Sequence, residues 1–584
     1  MKPADLIITA RHSARVPVSR LWQRLAHRKA MRAWAGRPVA DLASVIDVPA
    51  ARYDPAINEV ADAIARLRAL TFSNAPSEVA AGRVTLRGQA REIAPLDRFD
   101  WSVLSRAAEA DVNWFYELSY VGFLVPNLAA PETQAQLIGA LAGLEAVGAA
   151  GSWSKNLGWK PIAASNRLIN LVPVLAALTR GNADAETLAA VMRHGDICEG
   201  LLTALREDHL QYNHLVFNIV AVLLWRAATG KALPNEALRT LKATLDDQIL
   251  ADGGHAERSA TYHAHVLSMI QFIAATPGVG DDLSAWLAKA AARMAAALPV
   301  MSHPDGDIAL FNDAALFDAP PASAFVETPQ ELYAVLPQTG YGQIRSGRGA
   351  VILDGGAPGP RDNPGHGHSD YLSIEASWGG RRLIVDYGVS SYVAGRERDL
   401  TRGGVSHNGP RLEGRELIEF SGAFRVGRSS RAGVVQSRKQ DLKGLSAWCQ
   451  PWFDGGARLE RDVLLFSPDV FLIVDRWIGR GQPASPTFLI PADWTCRLDA
   501  DGGLNLNEKG GATARIQPLF GDGVSLTEAV YWPLGAGRSS PAHQLMVIPR
   551  AHGAGRASVL AVGAPGAVAE AHAELVALAG RLLG

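Results

Sequence analysis

Apolar residues recur at three- and four-residue intervals from about residue 57 to 325. Ile57, Val60, Ile64, Leu67 and Leu70 make one stripe, and Leu137, Leu141, Leu144 and Val147 another, which is the spacing of helices that turn one face to a core. The same period runs through residues 164–180, 196–206, 208–228, 236–250, 257–275 and 282–299, with Gly-, Pro- and Asn-rich breaks such as TGKALPNE and TPGVGDD between them. The pattern predicts medium helices joined by short loops. One earlier stretch, GRVTLRGQAREI at residues 82–93, alternates instead and predicts a short hairpin. After about residue 330 the period drops to two: Leu372, Ile374, Ala376 and Trp378 alternate with more polar positions before a Gly379-Gly380 turn. RLERDVLLFSPDVFLIVDRWIG, turning at Ser467-Pro468-Asp469, and HQLMVIPR read as further strands, and the closing AVAEAHAELVALAGRLLG as a helix. Helices followed by strands mean an α+β multidomain chain and argue against Rossmann and TIM architectures. The expected division is an N-terminal extension with a hairpin (1–95), a helical domain (96–325) and an antiparallel β-sandwich (326–584).

Charge narrows the partners. In 584 residues, 57 Lys and Arg stand against 58 Asp and Glu, for a net charge of −1, so the chain as a whole is no polycation for nucleic acid, and any anionic ligand must meet a local basic patch. Cys198, Cys449 and Cys496 are widely separated, without CxxC spacing, which argues against a disulfide framework and a thiolate metal site. The basic N-terminal stretch lacks the apolar run of a secretory signal. Residues 215–225, read as the most apolar stretch, are interrupted by Asn218 and too short to span a bilayer. A cytoplasmic location is expected, with the periplasm second and no transmembrane segment.

Four places carry candidate chemistry. In HLQYNHLVFN, Asn213 and His214 supply adjacent hydrogen-bonding groups for an anion, although an Asn capping a helix is the plainer reading. In DGGHAERSATYHAHVLSMI, Arg258 and Tyr262 stand four apart, so on a helix the guanidinium lies beside the phenol and favours its ionised form. In DNPGHGHSDYLSIEASWGGRRLIVDYG, His366 and His368 flank Gly367, with Asp386 ending the returning strand and His407 in the SHNGP loop beyond. Two imidazoles and a carboxylate suit Zn²⁺; alternatively both loop histidines point into one cavity and only one binds metal. Arginines at 396, 398, 402, 411, 415, 425, 428 and 431 match anionic oxygens, but interleaved acids also allow a solvated face.

Taken together, WFYELSYVGFL (114–124), WKPIAASNRLIN (159–170), YNHLVFN (212–218), LADGGHAERSATYH (250–263), MSHPDGDIALFND (301–313), PGHGHSDYLSIEASWGGRRLIVDYG and SHN resemble the heparinase II/III family of polysaccharide lyases. The resemblance implies an incomplete α/α toroid followed by an antiparallel β-sandwich, with a cleft between them. It implies β-elimination on an anionic, uronate-containing polysaccharide or oligosaccharide, without an organic cofactor. Asn213 and His214 then match the positions that engage the substrate carboxylate, Tyr262 the tyrosine that protonates the leaving oxygen, and His366 the second acid/base. His368, Asp386 and His407 match structural Zn²⁺ ligands. Arg258, as a charge partner of Tyr262, and Arg402 are expected to bind substrate, and a homodimer is allowed. Two rivals remain. His366-Gly367-His368-Ser369-Asp370 fits the HxHxD start of a zinc metallohydrolase, but Tyr371 stands where a histidine usually follows. A non-catalytic glycan-binding or exopolysaccharide-assembly protein on the lyase scaffold is the other.

Overall fold

The structure is a computed structural model that describes residues 3–46, 52–107, 112–149, 153–479, 481–535 and 538–584. The chain divides into two compact units. One comprises residues 16–249 and 265–292; the other comprises residues 1–15, 250–264 and 293–584.

The first unit is helical. Pro161–Arg180, Ala185–Ala204, Tyr212–Ala228 and Asn235–Gln248 follow one another in the chain and pack on their neighbours, and Leu168, Val172, Leu201, Val216, Ile219 and Leu245 are buried. Pro161–Arg180 is buried on almost all sides, as befits a central helix that is apolar around its circumference. Among the described residues it, rather than 215–225, is the one helix long and apolar enough to cross a membrane, and most of it is buried within the protein. The expected helix at 196–206 begins earlier, at Ala185, where the Asp184 carboxylate accepts the Thr187 N–H at 2.8 Å and caps it. The hairpin appears as Arg83–Leu86 against Gln89–Glu92. A helix not anticipated by the periodic pattern, Val18–Trp34, precedes it.

The second unit is built from antiparallel sheets. Leu332–Leu336, Tyr341–Ser346, Gly349–Asp354, Ile374–Trp378 and Arg381–Ile384 form a five-stranded sheet in chain order. The turn between the last two uses Gly379 and Gly380 at φ +59° and +77°, the left-handed pair that a tight hairpin requires. A larger sheet runs through Arg431–Lys439, Leu442–Gln450, Arg458–Ser467, Val470–Ile478, Gly555–Gly563 and Thr513–Phe520. Inward residues of both sheets, among them Ile344, Ile374, Trp378, Leu445, Val463 and Phe471, share one core, the packing of a β-sandwich. The terminal helix His572–Leu583 covers the outer face of the larger sheet, with Leu575 and Leu578 against Leu472 and Val559. Fold class is therefore as the two hydrophobic periods imply: a helical region, then an antiparallel sandwich.

Candidate functional site

In the helical unit, Asn213 and His214 lie in the first turn of Tyr212–Ala228, but Asn213 is not its cap. Gln211 occupies that position, and Gln211 and Tyr212 both take left-handed backbone, φ +58° and +49°. Asn213 is buried, and its Oδ1 accepts the His214 N–H at 2.8 Å. His214 keeps about a third of its side chain exposed and donates from Nδ1 to Glu207 Oε2 at 3.0 Å. Glu207 is itself held: Asn218 donates from Nδ2 at 3.3 Å and accepts the Glu207 N–H at 2.9 Å. Burial opposes its charge, yet His214, Asn218 and His27 together hold its carboxyl below the usual range. Glu207 is thus the residue that orients His214. Its signal in the sequence was only an acid seven positions upstream.

In the other unit the centre is Asp313, which the residue pattern did not single out. Its Oδ2 accepts from His366 Nδ1 at 2.8 Å and its Oδ1 from His368 Nε2 at 2.8 Å, while Arg398 grips both oxygens through its two terminal nitrogens. All four side chains are buried or nearly so. Burial works against the carboxylate, but Arg398 and the two histidines hold it well below the ordinary value. Asn312, at φ +60°, turns the chain so that its own Oδ1 accepts the His368 N–H. The His366 loop is equally constrained: a Cβ on Gly367 would lie 1.8 Å from the Pro358 carbonyl oxygen.

Tyr262 stacks at a tilt on His366, ring centres 4.1 Å apart. Glu257 Oε1 stands 3.4 Å from His366 Nε2, so a carboxylate faces each ring nitrogen. The Tyr262 phenol is pushed well above its usual value by burial first, then by Tyr392 and surrounding carboxylates. The expected help from Arg258 is absent. The helix starts at Ala260, so the i, i+4 relation does not exist; Arg258 sits at φ +55° and donates to the carbonyls of Ala357 and Gln338 at 2.8 and 2.9 Å. Arg402 likewise departs from a substrate-binding role. It is buried over the Phe420 ring and spends its donors on the carbonyls of Gly367, Gly422 and Ala423, bracing the loop between the two histidines. Burial and Arg398 lower it to about 9.

His368, Asp386 and His407 are close but do not form a ready ligand set. The two imidazoles lie 5.5 Å apart, and His407 donates from Nδ1 to Asp386 Oδ2 at 2.8 Å. His368 Nδ1 and His407 Nε2 are buried and meet no hydrogen-bond partner among the described residues. Each histidine thus has one nitrogen oriented by a carboxylate and the other bare, the tautomer that suits a metal ligand. These donors fit a borderline cation, although no group of three His, Cys, Asp or Glu converges on one point among the described residues. Asp370, the aspartate of the HxHxD string, accepts the Asn312 N–H at 2.8 Å and helps shape this same loop.

The model of the heparinase II/III N-terminus matches residues 152–337, and that of the heparinase II/III-like C-terminal region matches residues 328–562. Among solved structures, the chain is similar to a heparan sulfate lyase, HepC, from Pedobacter heparinus, at 17% identity and TM-score 0.50 over 92% of this chain and 87% of that one. It is similar to a heparinase III at 13% identity and TM-score 0.59, over 88% and 86%. These likenesses speak to the fold. No curated protein matches in sequence.

Proposed function

The chain belongs to the heparinase II/III family, and from that premise we propose that this polysaccharide lyase cleaves uronate-containing glycans by β-elimination, leaving a 4,5-unsaturated uronate at the new end. The observation that carries the reading is the Tyr262–His366 pair held on Asp313. β-Elimination needs a base for the weakly acidic C5 proton, an acid for the departing C4 oxygen, and a group that offsets the charge building on the carboxylate. Tyr262 suits the acid, because burial opposes its phenolate and keeps a proton on the oxygen near neutral pH. Where proton and leaving group share one face of the sugar, the minor phenolate form of Tyr262 takes the C5 proton and hands that same proton to the departing C4 oxygen. His366, with Nδ1 committed to Asp313, exchanges its proton through Nε2 where they lie on opposite faces. Asn213 and His214 engage the substrate carboxylate; as an imidazolium, His214 donates through Nδ1 to Glu207 and through Nε2 to the substrate.

His368 and His407, with Asp386, would hold a cation such as Zn²⁺, whose charge would offset the buried carboxylates and pin the surrounding loops. His407→Ala should then lower metal content, read by elemental analysis, together with thermal stability. The functional reading is tested by ultraviolet absorbance of the unsaturated product from uronate polymers and oligosaccharides. Tyr262→Phe should remove the signal while leaving circular dichroism unchanged, and full activity in that variant would defeat the assignment of the acid.

A further inference from the structure

The helix Val18–Trp34 is turned inside out. None of its residues is buried, and its apolar stripe faces solvent: Val18, Leu21, Trp22 and Leu25 are 69%, 40%, 68% and 53% exposed. Their spacing of three, one and three residues places them on one face. Its inward side is polar instead. Arg20 lies over the Tyr212 ring at 5.5 Å, and His27 packs on His209 with ring centres 4.5 Å apart. Gln23 and His27 line a cavity of about 480 Å³ with Thr203, Arg206 and Asn218. The helix is therefore anchored to its unit by polar and ring contacts, and its apolar stripe is not part of the core.

The charge on this element says what the stripe meets. The helix carries Arg20, Arg24, Arg28, Lys29 and Arg32 and no Asp or Glu, in a chain whose net charge is −1. Arg28, Lys29 and Arg32 are exposed. A second copy of the helix is a poor occupant, because two such elements face to face bring like charges together, and four side chains fall short of the ~800 Å² per partner of a standard interface. An anionic polysaccharide would answer the cations but leave Leu21, Trp22 and Leu25 in water. Arg28, Lys29 and Arg32 fall on the same outward face as the stripe, three, four and seven residues beyond Leu25, and only a surface with both anionic headgroups and an apolar interior answers both groups on that one face, the pairing that holds a helix in a membrane interface.

We propose that Val18–Trp34 docks the protein on an anionic phospholipid surface. The test is cosedimentation of the full chain with phosphatidylcholine vesicles, with and without phosphatidylglycerol, at low and high salt, alongside Trp22 emission and size-exclusion chromatography. Binding is expected to phosphatidylglycerol vesicles only, to weaken with salt, and to fall about tenfold in Leu21→Asp and again in Lys29→Glu. Circular dichroism confirms that each variant is folded. No binding by the folded wild type, binding that survives Leu21→Asp, or a dimer that Leu21→Asp dissolves without any vesicle binding would each overturn the proposal.

Discussion

The two units treat a histidine–carboxylate pair in opposite ways. In the helical unit, His214 stands on one acid, Glu207, and keeps a third of its side chain exposed. In the sandwich-bearing unit, His366 and His368 share a single acid, Asp313, which a buried arginine also grips. The first arrangement presents a ring to a ligand and gives it one oriented donor. The second fixes two rings on one carboxylate, so that a small displacement of Asp313 would move two histidines together. Recognition of a carboxylate tolerates the looser frame, whereas proton transfer depends on atoms held within hydrogen-bond reach. Left-handed residues flank both clusters: Gln211 and Tyr212 before the one, Arg258, Asn312 and Leu372 around the other. Such backbone is costly for non-glycine residues and concentrates where side chains must be aimed.

Breaking the tighter frame should have the largest effect. Asp313→Asn leaves Arg398 as an uncompensated buried charge, which should cost about 3–5 kcal/mol in urea unfolding and abolish turnover. A loss smaller than about 1 kcal/mol would mean that Asp313 is not the hub.

Why Asp313 and Arg398 escaped the residue pattern is instructive. They are 85 positions apart and belong to different stretches of loop and helix, and no periodicity links them. Arg398 and Arg402 stood in a run of eight arginines, and nothing in the spacing distinguishes these buried two from exposed neighbours such as Arg425 and Arg428. The helix-to-strand change was legible because each period is set by local geometry that every residue repeats. The Arg258–Tyr262 pairing failed for the converse reason: it assumed a helix one turn early, and the left-handed turn at Arg258 is imposed by contacts to residues 338 and 357. Asn312 and Tyr341 also bind its carbonyl. Asp184, by contrast, was a readable cap signal that would have placed the start of Ala185–Ala204 correctly.

The looser frame should yield a different signature. Glu207→Gln keeps a hydrogen-bond acceptor for His214 but removes the charge, so KM should rise about tenfold while kcat changes little. Equal losses in kcat for Glu207→Gln and Asp313→Asn would erase the distinction between the two clusters. Acid should sharpen the contrast more gently. Burial lowers His194 and His209 to about 4 in the helical unit, and His255, His263 and His368 to about 3, about 4 and about 3 in the other. Because these values lie below the ordinary 6.5, the unfolded chain takes up protons first. Stability should be full above about pH 6.5 and fall toward pH 4 by up to ~1.4 kcal/mol per pH unit for each histidine. Hydrogen exchange resolved by unit should show the steeper loss in the one holding His255 and His263.

The most direct test is the ultraviolet absorbance of unsaturated uronate when the purified protein meets alginate, heparin, heparan sulfate, hyaluronan, chondroitin and glucuronan and their oligosaccharides. The account predicts a rise with at least one of them, reduced about 10²-fold or more in Tyr262→Phe. Silence from folded wild-type protein across polymers and oligosaccharides, with glycan binding intact, would contradict the lyase reading and leave a protein that binds glycans without cutting them.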